Sequence, residues 1–153
     1  MKIKLLQRAF FLLIIFVVFI GGYFYFNKTL PIEFKSCEAL QIVKISDEAS
    51  ELRGDLIFRN PNNMRAEIGK LNIVTKLNGI EIGSLHETFK TTIKGYENLD
   101  FPFQFRFPTN QILFDTTKHE AKVTIGGDGG SDVLFANYTF NISFSGTVKT
   151  PDR

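Results

Sequence analysis

The residues best equipped for chemistry are few and far apart. Histidine occurs twice, as His86 in Leu85-His86-Glu87 and as His119 in Lys118-His119-Glu120. Catalytic partners meet in space and not in sequence, so a dyad between them stays open. Their polar neighbours favour two solvent-facing rings instead. There is no Gly-x-Ser-x-Gly, no His-Glu-x-x-His and no Gly-Lys-Ser/Thr. Those are the spacings that set up an acyl-transfer nucleophile, a zinc-bound water and a phosphate cradle. The acidic residues show no paired-carboxylate spacing of the kind a glycosidase needs. Cys37 is the one cysteine, which excludes an internal disulfide framework and a multi-cysteine metal site. The expectation is a non-enzymatic protein with no catalytic residues, no metal and no cofactor.

Two further stretches invite a binding reading. Gly126-Gly127-Asp128-Gly129-Gly130-Ser131-Asp132 resembles a phosphate or calcium loop at first sight. A phosphate loop opens a helix, whereas Val133 begins an apolar alternation. A calcium β-roll repeats Gly-Gly-x-Gly-x-Asp, and here the sixth position is Ser131 in a single copy. A flexible hairpin connection is the expected role, because Gly and Asp tolerate positive φ. The second stretch is Phe101, Phe103, Phe105 and Phe107, which alternate with Pro102, Gln104 and Arg106. An apolar face with period two is first of all the buried side of a strand. The alternative is a lipid-facing lining between two sheets.

The elements that must position these residues begin with an apolar run. Ala9 to Phe26 contains 18 residues without a charge, and Lys2, Lys4 and Arg8 precede it. At 1.5 Å per residue that length spans about 27 Å, close to a hydrocarbon core. Flanking cations place the N-terminus on the cytoplasmic side, and Tyr23 and Tyr25 suit the headgroup region. The expectation is a signal-anchor: a cytoplasmic basic flank at 1–8, a transmembrane anchor at 9–26 in contact with the lipid bilayer, a stalk at 27–37 and a domain at 38–149. The chain would then be a single-pass membrane protein whose domain is extracytoplasmic, periplasmic if bacterial. The rival is a cleaved signal peptide, but the small residues of a cleavage site give way to Tyr23-Phe24-Tyr25-Phe26. Cys37 follows Phe34-Lys35-Ser36, not the small apolar residues a lipidated cysteine needs, and reads as a half-buried thiol.

Charge agrees with this division. The chain carries 18 basic and 16 acidic residues, net +2. Three of the cations lie in the first eight residues, leaving a near balance beyond them. No basic patch points to nucleic acid. Asn27-Lys28-Thr29, Asn137-Tyr138-Thr139 and Asn141-Ile142-Ser143 match the N-glycosylation pattern, which matters only in a eukaryotic secretory setting.

Beyond residue 38 the pattern is one of alternation. Leu40 and Ile42, then Leu52, Leu56 and Phe58, then Leu71, Ile73 and Leu77 mark three strands. Ile80 and Ile82 follow the Asn78-Gly79 turn signal. Leu99 to Phe107, Val123 with Ile125, and Leu134 to Val148 complete about seven strands. Short strands at this spacing suit an all-β sandwich of two sheets, with one short helix at 109–119. Pro102 lacks an N–H and predicts an edge strand.

Leu56-Ile57-Phe58-Arg59-Asn60-Pro61-Asn62, followed by Leu77-Asn78-Gly79-Ile80-Glu81-Ile82-Gly83, resembles the late embryogenesis abundant type 2 family, the water stress and hypersensitive response domain. The resemblance covers about residues 38–148. It implies an immunoglobulin- or fibronectin type III-like sandwich in which Asn60, Pro61, Asn62, Asn78, Gly79 and Gly83 are structural. It also implies a role in desiccation and stress tolerance, and some relatives are suspected of binding lipid between their sheets. Three readings follow: a stress-protection or envelope structural module, a lipid-handling module, and an adaptor of an envelope complex.

Overall fold

The structure, a computed structural model, describes residues 2–26, 28–111 and 120–149. A helix α1 spans Lys2–Phe26. Seven strands follow: β1 Glu33–Lys44, β2 Ala49–Arg59, β3 Ala66–Leu77, β4 Ile80–Ile93, β5 Asn98–Pro108, β6 Glu120–Val133 and β7 Ala136–Lys149. They form two antiparallel sheets, one ordered β1-β2-β5 and the other β4-β3-β6-β7. β5 is an edge strand, where Pro102 withholds no ladder donor from a second neighbour.

The transmembrane part of the expected fold is corrected. Among the described residues no helix is long and apolar enough to cross a membrane. The anchor at 9–26 and the single-pass, extracytoplasmic localisation are not supported. The stalk at 27–37 is also revised. Ile32 is buried and β1 begins at Glu33, so the sandwich starts inside that stretch. Tyr138 Oη donates to the Thr29 carbonyl at 2.9 Å, and Leu30 exchanges two hydrogen bonds with the Asn62 side chain.

The short helix expected at 109–119 is a single 3-10 turn at Thr109–Gln111, and residues 112–119 lie outside the described residues. The glycine patch at 126–132 is no flexible connection. It lies inside β6, paired on both sides by β3 and β7. Gly129 sits opposite Phe140, whose ring occupies the space a Cβ there would fill. Absence of a side chain lets the ring lie against the backbone, which explains a glycine in the middle of a strand.

The inner faces of both sheets supply the core. Leu52, Leu56 and Phe58 of β2 meet Ile68, Leu71, Ile73 and Leu77 of β3, with Val123 and Ile125 of β6 and Ile142 of β7. Phe58 lies at the centre, edge-on to Phe34 at 5.9 Å and to Phe140 at 5.6 Å between ring centroids. Each such fully buried side chain contributes about 1.5–3 kcal/mol over its exposed state.

Candidate functional site

The Asn-Pro-Asn corner between β2 and β3 is a polar knot. Asn60 is fully buried, and a buried amide must have partners. Its Nδ2 donates to the carbonyls of Met64, Ile93 and Lys94 at 2.7, 3.1 and 3.1 Å. Its Oδ1 accepts from the backbone and side-chain amides of Asn62. Asn62 in turn holds both backbone groups of Leu30, and its carbonyl accepts from Tyr96 N–H at 3.0 Å. Three separate connections are thereby tied at one end of the sandwich. Pro61 stands between the two asparagines, where its fixed φ suits the turn.

The hairpin at the opposite end uses Asn78 and Gly79, with φ of 50° and 85°. This is the residue pair that tolerates left-handed angles at both central positions. Asn78 Oδ1 also accepts from Lys122 N–H at 2.8 Å, locking the turn to β6. Gly83 faces the other sheet, and the Phe105 ring fills the place of its missing Cβ.

The four phenylalanines of β5 are packed. Phe103 and Phe107 are buried, while Phe101 and Phe105 are half-buried against the same core. Phe101 stacks on Phe89 of β4 at 5.3 Å, closing the sandwich on that flank. Phe103 and Gly54 face each other across β2 and β5. The stripe is a seam between sheets.

The outward faces are polar in different ways. On β7, Asn137, Thr139, Asn141, Ser143, Ser145 and Thr147 all point outward and are exposed. β6 beside it presents Thr124, Gly126, Asp128 and Gly130. The result is a long surface of small hydroxyl and amide groups. A row runs across the sheet at its middle: His86 Nδ1 lies 3.3 Å from Asn72 Oδ1, and Asn72 Nδ2 donates to the Asp128 carboxylate at 3.2 and 3.3 Å. His86 is exposed, and His119 lies outside the described residues. Sequence reasoning missed this surface because small polar residues alternating with apolar ones mark any half-buried strand; the signal available was the unbroken run of Ser, Thr and Asn on β7.

On the three-stranded sheet, Glu51 points away from the core yet is buried beneath two arginines. Arg106 Nε donates to Oε2 at 3.0 Å, and Arg53 Nε donates to Oε1. The two bonds hold its carboxyl below the usual range. Cys37 is half-buried; burial and then the nearby carboxylates of Asp55 and Glu38 push its thiol up to about 11. A thiol so protonated is a poor nucleophile. Among the described residues, no three histidine, cysteine, aspartate or glutamate side chains gather into a set that could hold a metal.

No family model matches the chain. No curated protein matches it. Solved structures do. The solution structure of an Arabidopsis thaliana protein is 16% identical with a TM-score of 0.61, over 83% of this chain and 89% of that one. The crystal structure of a protein from Archaeoglobus fulgidus is 11% identical with a TM-score of 0.51, over 79% of this chain and all of that one. The likeness is one of fold. Neither structure bears the name of the late embryogenesis abundant family.

Proposed function

We propose that this chain is a non-enzymatic β-sandwich module that protects other macromolecules under water stress, acting through its outer surface. The resemblance of Asn60-Pro61-Asn62 and Asn78-Gly79 to the late embryogenesis abundant type 2 pattern supports the class of function. The observation that carries the reading is the outward face of β7, where six small polar side chains stand exposed at alternate positions from Asn137 to Thr147. Hydroxyl and amide groups both donate and accept hydrogen bonds. A surface of this kind takes the place of water on a drying partner without competing for its apolar core. The filled space between the sheets argues against a lipid-carrying role, since Phe101 to Phe107 spend their area on packing. The test is to dry a labile enzyme with and without the full chain and measure recovered activity. Recovery well above that given by an equal mass of an unrelated protein supports the reading; equal recovery overturns it.

A further inference from the structure

The two sheets end in four edge strands, β1 and β5 of one and β4 and β7 of the other. An edge strand leaves a row of N–H and C=O groups unpaired, and proteins blunt such edges with bulges, charges and proline. Three of the four edges are blunted. β1 bulges at two places against β2 and carries Glu33, Lys35, Glu38 and Lys44. β4 bulges at two places against β3 and carries Glu81, Glu87 and Lys90. β5 holds Pro102 between Asp100 and Arg106, with Pro108 at its end.

β7 has none of these devices. Its 14 residues pair with β6 in an unbroken register from Ala136 to Lys149. It contains no proline, and its one charge is Lys149 at the end. β1 touches β7 across the flank of the sandwich but shares no ladder with it. Among the described residues, no backbone hydrogen bond other than those of the β6 ladder reaches β7. Phe144 and Gly146 face inward yet are only half-buried, so the core is incompletely covered along this edge.

We propose that β7 pairs antiparallel with β7 of a second copy, joining two four-stranded sheets into one of eight strands. The other edges decide the partner. A second copy can offer β1, β4 or β5 only with bulges, charges or proline in the way, so the strand that fits β7 is β7. Two strands of one sequence meeting antiparallel define a two-fold contact, which closes at two copies. Full overlap of the strands places Ser143 close to the axis. No like charges then stand opposite each other, and Asn, Ser and Thr side chains face one another across the junction, where they can hydrogen-bond. A peptide of another sequence would be selected by pockets for its alternate side chains, and the small exposed side chains of β7 give little shape to select by. The outward polar faces of the two copies come to lie side by side.

Alternate amides of an edge strand lack a ladder partner and exchange quickly, and a second strand protects them. Hydrogen exchange of the full chain, read peptide by peptide, is compared at low and high protein concentration. A mild detergent covers the exposed apolar side chains of α1, from Phe10 to Ile20, so that these do not bring copies together. The expected result is a several-fold slowing of exchange in β7 at high concentration, with β1, β4 and β5 unchanged. S143K/S145K and S143E/S145E alter exposed side chains only, and circular dichroism establishes that each is folded. Each alone should lose the concentration dependence, because like charges then meet at the axis. An equimolar mixture of the two should regain it. Exchange in β7 of the parent that does not change with concentration would overturn the proposal. So would slowing shared by the other edge strands, protection that persists in both charged variants, or a mixture that fails to regain it.

Discussion

Asn60 Oδ1 accepts hydrogen bonds from both the backbone N–H and the side-chain amide of Asn62, at 3.0 and 2.8 Å. One buried amide thereby organises the next, and the pair ties the β2–β3 corner to the chain before β1 and to the β4–β5 connection. Asn60→Ala would strand three carbonyls and two donors in a dry site. The expected loss is about 3 kcal/mol or more. Asn60→Asp keeps the shape but sets acceptors against carbonyls, so it should fail comparably. Urea denaturation of both variants checks this; a near-native Asn60→Asp would mean that shape and not hydrogen bonding holds the corner.

Gly83 and Phe105 set a second test. A methyl at Gly83 must displace the root of the Phe105 ring, which is braced by Phe103 at 5.7 Å. Overpacking of this kind costs about 1–3 kcal/mol. Gly83→Ala should therefore lower the melting temperature, and the double variant with Phe105→Leu should recover part of the loss. Independent, additive losses would contradict the contact.

The β-sandwich was legible in places and hidden in others. Period-two apolar positions located all seven strands, because each has one face on the core. Asn78-Gly79 marked its hairpin because few residues tolerate those angles. Gly126 to Asp132 misled, since glycine usually ends strands; only the facing Phe140 ring explains it. The Leu134-Phe135 turn was absorbed into a strand because its residue types oppose its conformation. The apolar run at 9–26 suggested a membrane crossing that the described residues do not support. Glu51 was invisible as a buried group, since its cover comes from Arg106 on another strand.

Glu51 gives a pH prediction. Its folded-state pKa is lowered by Arg53 and Arg106 from an ordinary value of 4.5. The ionised form is therefore favoured by folding. Its stabilising contribution is complete above about pH 4.5 and is lost as pH falls through the lowered folded-state value. Glu51→Gln should flatten that part of the acid limb in stability measured against pH. An unchanged limb would show that the two arginines do not hold the carboxylate in solution.

Cys37 should be slow to alkylate. With its thiol pushed up to about 11, the thiolate is scarce at pH 8. Iodoacetamide labelling of the folded chain should run at least tenfold slower than labelling of the same chain in denaturant. Equal rates would contradict the burial of the thiol.

The central claim is that protection acts through the outward face of β7. The direct measurement dries lactate dehydrogenase with the full chain or with T139K/S143K/T147K, whose substitutions are all at exposed positions. Circular dichroism first establishes that the variant is folded. The account predicts high recovered activity with the parent chain and recovery near the unprotected level with the variant. Equal recovery with both, or none with either, would contradict it.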